Sequence, residues 1–346
     1  MALLNFGTIP GGAAGTELQV ATRRAIMPAV VVQIGKSTVT LSSMLAAAEP
    51  VSGGVSPMTI PVQGTRMVSG AWADYSGAFT SPQVLTGLFN AEFNLKAFVV
   101  GIPYYLFEGL VQQDAEIVPI LWARMNDAGN YVSDQIATAL WTALSANSAL
   151  QVFSLNDLVA TTNPTQGNVG NIDRSANTWW QANVSTMTAI NGASQAWTRT
   201  NVLAALTYAQ KGAGGEPPSC AIVGPGAWAA LAADTIGAES YLVDREGTYA
   251  EASEGATVAF PALNIGGVPV YADLYATNNT DMWLVNFNYT QFKIHQDAAF
   301  AVAGPESLLP QFQLGYVMAL FVLLEAVVAK CSANARVTGL TGAFVI

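Results

Sequence analysis

The sequence is poor in charged residues. Only 10% of its 346 residues are Asp, Glu, Lys or Arg, while 51% are hydrophobic; ordinary soluble domains contain about 25% charged residues. Such a composition is typical of a membrane protein, or of a subunit that buries much of its surface against copies of itself. The longest apolar run, Leu314 to Ala329, contains Glu325 and is shorter than the roughly 18 to 20 residues of a spanning helix. No signal peptide is visible either, so we expect no membrane and favour self-association.

Basic residues are also few. The chain has 13 Lys and Arg against 23 Asp and Glu, which gives a net charge of −10 and a pI of about 4.5. Sequence-specific binding of nucleic acid needs a basic surface, so this class of function is disfavoured. An acidic shell that merely encloses nucleic acid is still compatible with these charges.

Cysteine and histidine are scarce, which limits metal and redox chemistry. Cys220 and Cys331 lie far apart without a C-x-x-C motif, so neither a disulfide framework nor a zinc site is indicated, and a reducing, intracellular origin is the simplest interpretation. His295 is the only histidine. It cannot build a multi-histidine metal site, and no G-x-S-x-G serine accompanies it. We therefore expect no enzyme, no cofactor, and no catalytic or metal-binding residue.

A long amphipathic helix is predicted from Asp114 to Ala146. Its apolar residues recur three or four positions apart. This stripe consists of Leu121, Met125, Ala128, Val132, Ile136, Ala139 and Ala143. Pro119 is tolerated only in the first turn, so the regular helix should begin near Val118. About 28 helical residues would give a rod of roughly 40 Å, which is long enough to brace an extended structure.

A glycine-rich stretch from Val51 to Pro82 predicts a β-hairpin. Its strands are expected at Met58–Ile60 and Arg66–Val68, and Ala71–Ala73 extends the second. An isolated two-stranded hairpin is only marginally stable in water. We therefore expect this hairpin to become stable by lying on another subunit.

The rest of the chain mixes strands and helices without an internal repeat. Strands are predicted at Phe93–Tyr105, Ser219–Val223, Leu263–Tyr271, Met282–Asn286 and Gln291–His295, and helices at Thr200–Lys211 and Ala227–Ala233. The apolar run Phe312–Ala329 is interpreted as one or two strands, with a helix as the alternative.

The best enzyme-like signal is a G-x-G-x-x-A pattern at Gly224–Ala229. In a dinucleotide-binding fold, Gly224, Gly226 and Ala229 would let the backbone approach a pyrophosphate at a helix N-terminus. An NAD(P)-binding enzyme is therefore the alternative from another functional class. Pro225 within the turn and the shortness of the predicted helix favour a plain strand–turn–helix corner.

The order of these elements is more informative than any single motif. A weak arm, a glycine-rich hairpin, a strand, one long helix, a mixed lobe and a returning apolar strand follow one another. The local sequences that accompany this order are Ala71-Trp72, Phe93-Asn94-Leu95-Lys96, Asp173-Arg174 with Trp179-Trp180, and Ile265-Gly266-Gly267-Val268-Pro269-Val270. The whole resembles the tailed-phage major capsid protein, whose Hong Kong-type capsid fold is shared with encapsulins.

The resemblance implies an α+β fold with an N-arm, an E-loop β-hairpin, a P-domain in which a long spine helix lies on a β-sheet, and a mixed α/β A-domain. The implied boundaries are residues 1–49 for the N-arm, 50–89 for the E-loop hairpin, 90–150 for the P-domain with its spine helix, 151–310 for the A-domain, and 311–346 for the returning P-domain strand and C-terminus.

The function implied by the resemblance is self-assembly into an icosahedral shell of hexamers and pentamers that encloses double-stranded DNA. The chain would then be a structural component of a virion, assembled in the host cytoplasm, with separate scaffolding, portal and decoration proteins as possible partners. An encapsulin-like compartment is the alternative within the same fold. The residues expected to take part in assembly are Arg66, Trp72, Trp122, Trp141, Asp173, Arg174, Trp179 and Trp180.

Some members of the family join subunits covalently through a lysine in the E-loop. The stretch from Pro50 to Pro82 contains no lysine, and Arg66 is its only basic residue. We therefore predict a shell held together by non-covalent contacts.

Overall fold

The computed structural model describes ten segments of the chain. They comprise residues 38–52, 57–65, 87–105, 108, 120–144, 150–165, 167–192, 195–239, 263–308 and 314–345, without the side chains of 120–122 and 235–239. The predicted N-arm up to residue 37, the start of the long helix around Pro119, and the hairpin residues Arg66 and Trp72 lie outside these segments. The same holds for the side chain of Trp122.

The described segments contain both helices and strands. The helices are α1 (Val39–Ala46), α2 (Ile120–Trp141), α3 (Leu155–Leu158), α4 (Met187–Asn191), α5 (Arg199–Ala213) and α6 (Pro225–Glu239). The strands are β1 (Glu49–Val51), β2 (Met58–Gln63), β3 (Leu88–Phe93), β4 (Lys96–Tyr105), β5 (Asn183–Thr186), β6 (Cys220–Val223), β7 (Leu263–Ile265), β8 (Val268–Ala272), β9 (Met282–Val285), β10 (Thr290–His295), β11 (Ala301–Ser307), β12 (Gly315–Val328) and β13 (Ala335–Thr338). The mixture agrees with the predicted α+β class.

The chain divides into two compact units. The first includes Phe98–Ser133 and Phe300–Phe321, and the second includes Lys36–Ala97, Asp134–Ala299 and Val322–Ile346. The five-part division expected from the resemblance stays a prediction.

The first unit contains β11 and the parts of β4 and β12 that pair within it. β11 runs antiparallel to β12, with Ala301 opposite Phe321 and Ser307 opposite Tyr316, and β4 also pairs with β12. The β11 ladder is interrupted by a bulge at Gly304, whose φ is 83°. A bulge of this kind disfavours the pairing of a further strand with the edge of a sheet.

The beginning of α2 packs within the first unit. The Arg124 guanidinium donates to the Pro103 carbonyl oxygen at 2.8 Å and forms an ion pair with Glu108. The rings of Phe98 and Tyr131 lie 6.3 Å apart. These contacts hold the helix beside β4.

The second unit is built on a six-stranded mixed sheet in the order β5-β13-β9-β6-β8-β7. Its core is apolar because α5 and the start of α6 contribute buried side chains such as Val202, Leu206 and Leu231. The predicted strand Leu263–Tyr271 is split into β7 and β8. Gly266 and Gly267 adopt φ values of 61° and 82°, as the central residues of a tight hairpin turn must.

The N-terminal elements of the second unit are attached to its body. β1 pairs in parallel with β10, and Lys293 forms an ion pair with Glu49. At the start of α1, the Thr40 N–H donates to Asp273 Oδ2 at 3.0 Å, and the Thr40 hydroxyl donates to the same oxygen. Asp273 is buried, and burial raises its pKa, while the bonds from Thr40 favour the carboxylate.

The long helix is confirmed, but it ends at Trp141 and not at Ala146. Polar groups of the following segment explain the earlier end: Asn156 Nδ2 donates to the Trp141 carbonyl at 2.8 Å, and the Leu144 N–H donates to Asp157 Oδ2 at 3.0 Å. These bonds satisfy groups that a continuing helix would otherwise use.

The predicted stripe of this helix is buried at Ala128, Val132 and Ile136. At 1.5 Å per residue, its 22 residues span about 33 Å.

Two strand predictions need correction. The expected strand Phe93–Tyr105 consists of the end of β3 and the whole of β4, and the partner of β2 is β3; the predicted partner Arg66–Val68 lies outside the described residues. For the apolar run near the C-terminus, the helix alternative is wrong, because Gly315–Val328 forms one strand of 14 residues.

Candidate functional site

The candidate site consists of the residues that pack against the hairpin of β2 and β3. The strands run antiparallel, with Met58 opposite Phe93 and Gln63 opposite Leu88. The Gly64 N–H continues the ladder by donating to the Gly87 carbonyl at 2.9 Å. Because two strands alone are marginally stable, the contacts beside them decide how the hairpin is held.

The inner contact is made by a short 3₁₀ turn, Val169–Asn171. Gly170 has a φ of 62°, and a Cβ atom there would lie 3.0 Å from Ala91 and 3.1 Å from the Phe93 ring. The Asn171 side chain donates to Glu92 at 3.3 Å. Glycine is therefore required at this position both by the left-handed backbone and by the close approach of β3.

The outer contact is made by Trp179. Its ring lies 4.8 Å from the Phe89 ring, at an interplanar angle of 39°. Gly64 faces the same indole so closely that a Cβ atom would overlap it. Trp179 therefore touches both strands' ends near the point where the hairpin leaves the described residues.

Trp180 faces the interior. It is buried, and its indole N–H donates to the Val169 carbonyl at 2.9 Å. Its ring lies 5.7 Å from the Trp179 ring, at 61°. The two adjacent tryptophans therefore have different roles. Trp180 fixes the turn that makes the inner contact with the hairpin, and Trp179 makes the outer contact itself.

Arg174 links the backbone around the two tryptophans to the segment that precedes it. Its side chain is 0% exposed and donates to four backbone carbonyl oxygens, with Cys331 Sγ a further partner at 3.8 Å. The four carbonyls belong to Asp157, Leu158, Thr162 and Trp180. A guanidinium can satisfy such a set because it presents five donors in a rigid fork.

Asp173 shapes the preceding turn. Its Oδ1 accepts from the Ser175 hydroxyl at 2.7 Å, the Ser175 N–H at 2.8 Å and Asn163 Nδ2 at 2.6 Å. These hydrogen bonds, led by that from the Ser175 hydroxyl, lower the pKa of Asp173. We refer to Gly170, Asp173, Arg174, Trp179 and Trp180 together as the hairpin cradle.

The structure brings four of the eight predicted assembly residues together, namely Asp173, Arg174, Trp179 and Trp180. Arg174 and Trp180 are buried, so any effect they have on assembly would be indirect. Trp141 lies elsewhere, packed edge-on against Trp283 at 4.8 Å. The assembly role of all eight stays a prediction.

Sequence reasoning missed Gly64, Phe89 and Gly170. The alternation of Leu88–Phe93 was available as a local strand signal. No local pattern shows that a tryptophan from a distant turn packs against Gly64 and Phe89.

A buried carboxyl lies near the inner contact. Glu325 is 0% exposed, and its Oε1 accepts from the Phe153 N–H at 2.9 Å and the Ala326 N–H at 3.0 Å. The Phe153 ring in turn meets the Phe93 ring edge-on at 6.1 Å. Burial raises the Glu325 pKa to about 8, although the charge of Lys96 opposes the shift.

The G-x-G-x-x-A turn is filled by the protein itself. The Gly226 N–H donates to Asn279 Oδ1 at 3.2 Å, and the Phe344 N–H donates to the Gly226 carbonyl at 3.1 Å. A Cβ atom at Gly224 or Gly226 would overlap the Asn279 side chain or the Phe344 backbone. The close approach that these glycines permit is therefore to the chain's own Asn279 and C-terminal segment, which favours the plain strand–turn–helix corner over the alternative of a pyrophosphate site.

Within the described segments, no group of three His, Cys, Asp or Glu side chains has the arrangement of a metal site. No described helix combines the length and apolar character needed to cross a membrane.

This chain resembles known proteins in structure and not in sequence. No protein-family model and no curated protein matches the sequence. The capsid of cyanophage A-1(L) matches with a TM-score of 0.62 and 15% identity, over 90% of this chain and 96% of that chain.

Two further capsids are similar. The capsid of Myoviridae phage XM1 matches with a TM-score of 0.54 and 12% identity, over 91% of this chain and 96% of that one. The capsid of an empty GTA particle matches with a TM-score of 0.52 and 15% identity, over 90% and 100% of the two chains. The chain therefore has the tailed-phage capsid fold that the order of its elements predicts.

Proposed function

We propose that this chain is a major capsid protein that self-assembles into an icosahedral shell of hexamers and pentamers around double-stranded DNA. The observation that carries the proposal is the match to the cyanophage A-1(L) capsid over 90% of this chain and 96% of that one. A match that covers most of both chains favours a common architectural role. The particle would be a virion capsid assembled in the host cytoplasm, with separate scaffolding, portal and decoration proteins as partners.

The exposed apolar side chains of the first unit support self-association. Val99, Tyr131, Val302 and Tyr316 are all exposed. Together with the low charge content of the whole chain, they fit a subunit that buries surface in large contacts with its neighbours.

The charges of the described residues support enclosure of DNA without specific binding. Four basic side chains already form ion pairs with carboxylates. The pairs are Arg124–Glu108, Lys293–Glu49, Lys330–Glu216 and Arg336–Asp281. Basic side chains that are paired with carboxylates are less available to neutralise the phosphates of DNA. Contacts between basic side chains and phosphates dominate the affinity of proteins for nucleic acid.

The test is size-exclusion chromatography of the purified full chain, followed by negative-stain electron microscopy. We expect closed shells on the order of tens of nanometres across, as a symmetric homo-oligomer of this fold would form. A discrete small oligomer that nicotinamide dinucleotides stabilise against heat would contradict the proposal and favour the enzyme alternative.

The contents of the shells distinguish the two roles of the fold. Co-purified double-stranded DNA is expected for a phage capsid, whereas packaged protein would favour the encapsulin-like compartment. Boiling the shells in denaturant should release single chains, because no lysine is present between Pro50 and Pro82 to form a covalent link.

A further inference from the structure

We infer that Trp179 is a positioning residue that fixes the direction of strands β2 and β3 at the outer end of the described hairpin, and thereby decides whether subunits close into shells. The second part of this inference rests on the proposed function. The first part concerns the subunit alone and has its own measurement.

The hairpin is held at two points spaced along β3, and the outer one also reaches Gly64 after β2. The inner point is Gly170 against Ala91 and Phe93, and the outer point is Trp179 against Phe89 and Gly64. Phe89 lies two positions from Ala91 and four from Phe93, which is about 7 to 13 Å of extended chain. Two contacts at that separation fix the direction of the hairpin, whereas a hairpin held by one contact could rotate about it.

Trp179, the outer support, lies beside a groove. A groove of about 430 Å³ lies between the hairpin and the segment after β12, and Pro61, Gln63, Trp179, Lys330 and Ser332 are among its walls. At the outer end of the described hairpin Val62 is buried, and the Trp179 indole packs on both Phe89 and Gly64.

The position of Trp179 distinguishes it from its neighbour. Trp180 is buried and anchors the Val169 carbonyl, so its loss would disturb the core. Trp179 is only half-buried and packs on the hairpin. Its removal should therefore release the hairpin at a small cost in subunit stability.

The closeness of Gly64 allows a test by non-additivity. Gly64→Ala would push the hairpin away from the indole, because a Cβ atom there overlaps the ring. In a Trp179→Ala background the overlap is gone, so the same substitution should have little further effect. Coupling of this kind is expected only for residues that act through one contact. Gly129→Ala is the matched control, because a Cβ atom at that position meets nothing within 4 Å.

The hairpin direction is measured by pulsed electron–electron spin resonance on the unassembled subunit. Spin labels on Gln63→Cys and Thr207→Cys occupy exposed positions, and the native Cys220 and Cys331 are buried. Trp179→Ala should broaden the distance distribution, Gly64→Ala should shift it, and Trp179→Phe should keep it narrow. A distribution in Trp179→Ala identical to that of the wild type would overturn the inference, whether or not shells form.

The same variants without labels are then scored for shells by electron microscopy, and for thermal stability. Trp179→Ala and Gly64→Ala should each give about tenfold fewer closed shells, the change that about 1.4 kcal/mol makes in an equilibrium constant. The double variant should be no worse than either single variant, and Gly129→Ala and Trp179→Phe should assemble as the wild type does.

Normal shells from Trp179→Ala, or strictly additive losses in the double variant, would contradict the inference and leave the proposed function standing. If the wild type forms no shells, the proposed function and the closure part of the inference both fail. The spin-label distances still decide the positioning part in that case.

Discussion

Glu325→Gln tests the energetic consequence of a carboxyl that lies buried in β12. Glutamine keeps a carbonyl oxygen for the Phe153 and Ala326 N–H groups that Oε1 of Glu325 serves. Its amide takes the place of Oε2, which has no hydrogen-bond partner among the described residues. The substitution therefore removes the ionisable group with little change in shape.

The magnitude follows from the pKa. Burial raises the pKa of Glu325 from 4.5 to about 8. Between these values the folded state holds a proton that the unfolded state has released, so stability falls as the pH rises through this window. At 1.36 kcal/mol per pH unit, this group alone should lower the free energy of unfolding by roughly 4 kcal/mol between pH 5 and pH 8.

The assay is denaturant unfolding of unassembled subunits at several pH values from 5 to 9. Wild type should lose stability over this range relative to Glu325→Gln, and the difference should level off above about pH 8. Glu306→Gln is the matched control, because Glu306 is exposed on β11. A difference between wild type and Glu325→Gln that does not change with pH would show that folding does not raise the pKa of Glu325.

Three further predictions concern separate parts of the fold. Arg174→Ala should lower the unfolding free energy by roughly 3 to 5 kcal/mol, because it strips buried carbonyl oxygens of their donors; a loss below 1 kcal/mol would contradict this. Asp273→Ala removes the acceptor of two Thr40 groups and should cost about 1 to 3 kcal/mol, with limited proteolysis near α1 becoming faster; unchanged proteolysis would argue against the attachment. Val132→Asp should give insoluble protein, because an unpaired carboxylate would be buried, whereas Asn126→Asp at an exposed position should give soluble subunit; equal solubility would refute the assignment of the buried face.

The apolar pattern of the long helix was readable from the sequence because it is local. The spacing of Ala128, Val132 and Ile136 predicts one buried face, and these residues are buried. The end of the helix was not readable, because Asp157 binds the Leu144 N–H from a later segment. A periodic pattern does not report such a tertiary contact.

The hairpin shows the same limit for strands. Met58–Ile60 was correctly assigned to a strand, but its partner Leu88–Phe93 lies beyond a long intervening segment. Strand pairing is chosen by packing on a shared face, which is not encoded in either strand alone.

The sequence predicted four residues of the candidate site, but not which way their side chains point. Asp173, Arg174, Trp179 and Trp180 stand out because aromatic and charged residues cluster there. A 3₁₀ turn at Thr178–Trp180 places one tryptophan in the core and the other on the hairpin. Which indole takes which role depends on Gly64 and Phe89, far away in the sequence.

The most direct test of the account is a cryo-electron microscopy reconstruction of the particles formed by the purified full-length chain. We expect a closed icosahedral shell in which this subunit forms both hexamers and pentamers, and in which the β2–β3 hairpin lies on a neighbouring subunit. Particles of any other symmetry, or a discrete oligomer in which each hairpin packs only on its own subunit, would contradict it.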